Sequence, residues 1–118
     1  MSKLLLTDRA LADIDAIERY SVDRWGPQVA EQYLSDLGDA LDRLQSDLAL
    51  FSSRHDYEGR LRFYRVREHV LIGDVIDGVG YVLTVWHGQM DFIDRLPQLE
   101  PNLRVEAELL AKQVSQGT

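Results

Sequence analysis

Near residue 51 the spacing of apolar side chains changes. Before it they recur every three or four positions, the period of a helix face. After it come three runs rich in Val, Ile, Leu, Phe and Tyr, at 60–67, 69–76 and 81–86, too short and too β-branched for helices. A chain that places its helices first and its strands afterwards packs one group on the other, so the expected class is α+β.

The punctuation supports this division. Lys3 to Leu6 predicts a short edge strand, and Thr7-Asp8 offers helix-capping oxygens. Leu11, Ile14, Ile17 and Glu18 then mark the inner side of a helix over 8–24. Trp25-Gly26-Pro27 ends that helix and starts a second, whose stripe is Ala30, Tyr33, Leu34, Leu37, Ala40, Leu41, Leu44 and Leu48. Phe51 to Gly59 reads as a loop, while Arg67-Glu68-His69 and Asp77-Gly78-Val79-Gly80 read as tight turns of an antiparallel meander. Beyond Pro97 and Pro101, a helix is expected over 102–114. The expected fold is a helical hairpin on one face of a small antiparallel sheet, order β-α-α-β-β-β, with an added C-terminal helix. Residues 1–96 form the body and 97–118 the extension. Leu103, Leu110 and Val114 on that last helix either fold back on the sheet or offer a face for a partner or a second copy.

A chain of 118 residues that is 45% hydrophobic suits one domain. With no cysteine there are no disulfides and no thiolate sites. The three histidines, His55, His69 and His87, show no metal-ligand spacing, so neither a metal nor another cofactor is expected. No secretory signal or membrane-length apolar run occurs, which predicts a cytoplasmic protein. The net charge of -7 disfavours nucleic acid. Residues 51–70 differ, carrying five arginines against three acids, and such a strip suits an acidic protein partner. Strand alternation places Arg60 and Arg62 with Tyr64 on one face, and Arg65 and Arg67 with Leu61 and Phe63 on the other.

Four segments in order resemble the ParE/RelE superfamily of type II toxin-antitoxin toxins, and its ParE branch in particular. They are LLLTDRALADIDAIERY, WGPQVAEQYLSDLGDALDRL, LRFYRVREHVLIGDVID and VLTVWHGQMD. The resemblance covers about residues 3 to 95. It implies a ParD-like antitoxin whose C-terminal segment wraps around the toxin in a hetero-oligomer. ParE toxins poison DNA gyrase by binding it, whereas RelE toxins cut mRNA on the ribosome.

Fold does not choose between those activities, but chemistry does. Cutting RNA through the 2′-hydroxyl needs a base, an acid and cations against the phosphate. Lysine occurs only at Lys3 and Lys112, outside the meander, and no tyrosine follows Tyr81. His87 therefore reads as an end-of-strand structural residue bonded to a backbone carbonyl, in a toxin that does no chemistry. On this reading Arg62, Arg65 and Arg67 meet antitoxin carboxylates, and Trp25 and Trp86 anchor the core or the hairpin. The alternatives are an endoribonuclease using His87 with Arg62 or Arg65, and a non-toxic relative that keeps only binding.

Overall fold

A computed structural model describes residues 3–89 and 91–116. The elements are β1 (Lys3–Leu6), α1 (Asp8–Trp25), α2 (Pro27–Ser46), a 3-10 turn (Leu48–Leu50), β2 (Arg62–Val66), β3 (His69–Ile76), β4 (Val79–His87) and α3 (Phe92–Gln116). Met90, quoted above in the last of the four segments, lies outside the described residues.

Each boundary has a local cause. Thr7 caps α1, its hydroxyl oxygen accepting from Ala10 N at 3.2 Å, which satisfies one of the N–H groups a helix start leaves unpaired. Gly26 takes φ 90°, a backbone state that L side chains avoid, and there the chain reverses into Pro27 at the start of α2. Asp77 and Gly78 both have positive φ, the geometry of a two-residue hairpin turn joining β3 to β4.

The buried stripe of α1 runs through Ala10, Ile14, Ile17 and Ser21. That is rotated from the expected line, and Leu11 is 53% exposed. The small Ala10 and Ser21 face inward, which lets the helix lie close to the sheet. In α2 the stripe is as its period predicts, with Ala30, Tyr33, Leu37, Ala40 and Leu44 buried.

The sheet order is β1-β4-β3-β2. β2, β3 and β4 form the antiparallel meander, and β1 joins β4 in parallel, so the sheet is mixed. A parallel neighbour requires a crossover, and the helical hairpin is part of the long connection between these two strands. β1 is shorter than β4 and α1 covers the uncovered part of that edge. Thr7 Oγ1 donates to Leu83 O at 3.0 Å, and Asp13 accepts from Val85 N at 3.0 Å and from the Thr84 hydroxyl.

The sheet has apolar side chains on both faces. Leu4, Leu71, Val82 and Val85 pack against α1 and α2, while Phe63, Val70, Ile72, Tyr81 and Leu83 pack under α3. The molecule thus has three layers where the sequence predicts two plus an extension. α3 begins at Phe92, ten residues earlier than expected, and contains both Pro97 and Pro101. Asp91 caps it, accepting from Asp94 N at 3.3 Å. The two prolines lie four apart on its exposed side, and the stripe of Phe92, Leu96, Leu103 and Ala107 holds the helix to the sheet despite the hydrogen bonds they remove. The expected boundary at residue 97 therefore falls inside a helix.

Burial also decides between the two readings of that helix. Leu103 is fully buried and Leu110 is half-buried against the same cluster, so the helix folds back and Leu103 offers no surface to a partner or a second copy. Val114 is partly exposed at the end of the stripe. Each buried leucine contributes about 1.5–3 kcal/mol. Polar ties add less: Arg9 Nε and Nη2 donate to Glu106 at 2.8 and 2.7 Å, and the Tyr57 hydroxyl donates to Glu100.

Candidate partner-binding groove

At the apex of the helical hairpin α1 parts from the sheet, and a groove of about 690 Å³ opens there. Ile17 and Val85 give it an apolar floor, Tyr20 and Trp25 a wall, and Arg24 and Arg65 its cations. His69 and His87 lie at its sheet end. A second hollow of about 360 Å³, lined by Trp25, Val29, Tyr33, Arg67 and Glu68, adjoins it across Trp25. Tyr20 is 56% exposed, Trp25 45% and Val29 46%. Large side chains left this open beside cations mark a surface for binding rather than a spare part of the core.

The expected placement of Trp25 is therefore corrected. It stacks edge-on against Tyr20, with ring centres 5.8 Å apart, at the rim of the groove. Trp86 does serve the core, lying 5.7 Å from Phe92 under α3. Sequence reasoning missed Tyr20 and Trp25 as surface residues. The available signal was position: both belong to the last turns of α1 before the Gly26-Pro27 reversal, where a helix stripe can run beyond the sheet it covers.

The four arginines of the β2 region separate. Arg62 is exposed at the far end of β2, beside Arg60, which pairs with the buried Asp74 at 3.4 Å. That end is about 10 Å along the strand from Arg65, at the usual rise per residue. Arg65 reaches the groove; its Nε donates to Arg67 O at 2.9 Å, and its guanidinium lies beside Gly88. Arg67 was expected on the same face as Arg65, but it sits in the β2–β3 turn with φ 53° and turns toward α2. There it bonds Asp36 at 2.7 Å and lies over the Tyr33 ring. The structure therefore brings Arg65 to His87, commits Arg67 within the chain, and leaves Arg62 apart.

His87 accepts from Gln89 N through Nδ1 at 3.1 Å, and its Nε2 lies 3.6 Å from Glu68 Oε2. It bonds backbone as expected, though to an N–H rather than a carbonyl. Its ring stands edge-on to His69, with centres 5.3 Å apart. His69 Nδ1 in turn pairs with the Tyr33 hydroxyl. Burial raises the Tyr33 phenol above its ordinary value, keeping the proton on oxygen. Burial, and then the neighbouring His87, hold His69 below the ordinary histidine value. Both groups are thus neutral, and the His69 tautomer sets which of them donates. Among the described residues no group of three or more His, Asp or Glu is arranged to hold a metal ion, and no helix is long and apolar enough to cross a membrane.

Comparison with known proteins agrees with this architecture. Toxin ParE1 of Mycobacterium tuberculosis, from strain H37Rv and from strain CDC 1551 / Oshkosh, is 33% identical over 95 residues, covering 80% of this chain and 96% of the relative. A solved chain described as the chromosomal ParDE TA system from P. aeruginosa superposes with a TM-score of 0.65 at 22% identity, covering 74% of this chain and 96% of its own. That likeness shows the shared fold. Residues 4–92 match the family described as the ParE toxin of type II toxin-antitoxin system, parDE, and the chain belongs to that family.

Proposed function

We propose that this toxin acts by binding other proteins and carries out no chemistry of its own. A ParD-like antitoxin holds it in a hetero-oligomer in the cytoplasm, and DNA gyrase is the target when it is released. The supporting observation is the groove: Arg24 and Arg65 beside exposed Tyr20 and Trp25, with the lining carboxylate of Asp13 committed to Val85 N and the Thr84 hydroxyl and Glu68 largely exposed, on a chain of net charge -7. Such a surface suits an apolar segment flanked by carboxylates, with charge giving orientation and the aromatics giving area. Arg65 takes a partner carboxylate in this reading. Arg67 contributes less because Asp36 already neutralises it, and Arg62 belongs to a different surface. The part of α3 beyond residue 96 extends the toxin body and stabilises it by covering the sheet.

Arg65→Ala should weaken the antitoxin complex by about tenfold or more, the order of a lost charge-assisted hydrogen bond. Arg67→Ala should change it less. Titration calorimetry measures both, and affinity unchanged in Arg65→Ala would remove the arginine assignment.

An endoribonuclease reading retains one observation in its favour: Arg65, His87 and Tyr20 share the groove although Arg62 does not. Inducing the toxin without its partner separates the activities. The expected result is arrested growth, loss of plasmid supercoiling and intact transcripts. Rapid transcript cleavage with intact supercoiling would establish the nuclease, and unaffected growth would leave a non-toxic binding relative.

A further inference from the structure

Glu68 sends a carboxylate toward His87 Nε2, but the contact is 3.6 Å, too long for a hydrogen bond, and the Glu68 side chain is largely exposed. It marks where a carboxylate approaches the imidazole from the groove side, without filling that position. We propose that the groove seats an Asp or Glu side chain of the protein partner between Arg65 and His87, displacing Glu68, and that seating it favours protonation of the His69–His87 pair. This rests on the protein-binding reading above and adds its regulation: the complex tightens as pH falls.

Geometry limits the pair to one proton. The two rings lie 5.3 Å apart, so a charge on one opposes a charge on the other. His69 is also half-buried, and burial favours its neutral form. The incoming carboxylate replaces that of Glu68 but approaches within hydrogen-bond reach where Glu68 stops at 3.6 Å, and so favours a protonated imidazole more strongly than Glu68 does.

The charged groups around the pair do not cancel this effect. From α1, Asp13 faces the groove, but its carboxylate is held by Val85 N and the Thr84 hydroxyl, while Arg24 stands at the wall. From α2, Tyr33 is neutral. From β2 and its turn come Arg65, which shares the incoming carboxylate, Arg67, which is paired with Asp36, and Glu68. The cations favour the anion and oppose the proton; the anion, closest to His87, decides the sign.

The test uses the full chain and the purified product of the reading frame immediately upstream as the antitoxin. Binding is measured by calorimetry at pH 6.0, 7.0 and 8.0 in buffers of different ionisation enthalpy. The expected result is net proton uptake on binding, up to about half a proton per complex, with affinity about 3- to 10-fold higher at pH 6.0 than at pH 8.0. His87→Gln should abolish the uptake and flatten the pH profile. His55→Gln, an exposed loop change, should leave both intact. Glu68→Gln should tighten the complex by about 2- to 5-fold, because it removes the competing carboxylate. A complex that forms without proton uptake, or whose uptake persists in His87→Gln, would overturn the proton linkage while leaving the toxin-antitoxin reading standing. Weaker binding by Glu68→Gln would overturn the displacement step. If no complex forms with the unaltered chain, the toxin-antitoxin reading fails and this proposal fails with it.

Discussion

The two faces of the sheet carry similar apolar side chains and are finished differently. Beneath α3 the cover is continuous: Phe92, Leu96, Leu103 and Ala107 close on Phe63, Ile72 and Leu83, and ties to Arg9 and Tyr57 hold the helix in place. On the opposite face the helical hairpin seals the middle of the sheet and lifts away at its apex, leaving Tyr20 and Trp25 open beside Arg24 and Arg65. One face is a core, and the other is a core with an open groove at its edge. Among the described residues the exposed aromatic surface is confined to Tyr20 and Trp25 at the end of α1, so under the proposed function stability and recognition are carried by different residues.

That division can be broken. Leu103→Ala removes a fully buried side chain beneath α3, and the cost expected for leaving such a cavity is about 2–5 kcal/mol. Urea unfolding measures it. Partner affinity per folded molecule should be unchanged, since Leu103 does not line the groove. Trp25→Ala should do the reverse. Its ring is nearly half exposed and touches the core little, so stability should fall by no more than about 1 kcal/mol. Antitoxin affinity should fall about 10- to 100-fold, the scale of a truncated aromatic anchor. If Trp25→Ala instead unfolds the protein while leaving affinity intact, the aromatic pair belongs to the core and the contrast between the faces disappears.

Much of this was legible in the residues. The helix period gives α1 and α2, the glycine turn gives the β3–β4 hairpin, and the alternation in 60–67 separates Phe63 from Tyr64 as the structure does. Physical reasons account for what was not legible. Pro97 and Pro101 signal a helix boundary locally, and only the apolar stripe on either side, packed against the sheet, outweighs that signal. Arg67 follows the strand pattern until a positive φ in the turn redirects its side chain to Asp36. The groove draws on α1, β2, β3 and β4, so no single stretch of sequence contains it. His87 is expected to bond a backbone carbonyl and instead accepts from the Gln89 N–H, and its packing edge-on to His69, eighteen positions earlier in the chain, depends on the β3–β4 register that pairs the two residues.

The smallest expected effect concerns the tie between the faces. Arg9 of α1 grips Glu106 of α3 with two hydrogen bonds, and that contact holds the Glu106 carboxyl below its ordinary value. A carboxyl with a depressed folded-state value contributes stability above its unfolded value of about 4.3, and that contribution is lost as pH falls through the folded value. Both side chains are about one-third exposed, so solvent screening limits the contribution to about 0.5–1 kcal/mol. Glu106→Gln should therefore lower the unfolding free energy by that amount at pH 7, and the difference from the parent should shrink as the pH falls below about 4.3 and through the folded value. Amide exchange should locate the loss in α3, because the apolar stripe holds most of that helix and the ion pair steadies only its later turns. A loss spread equally through α1 and α2 would mean that α3 and the hairpin unfold as one unit, and the two faces would then differ in surface but not in stability.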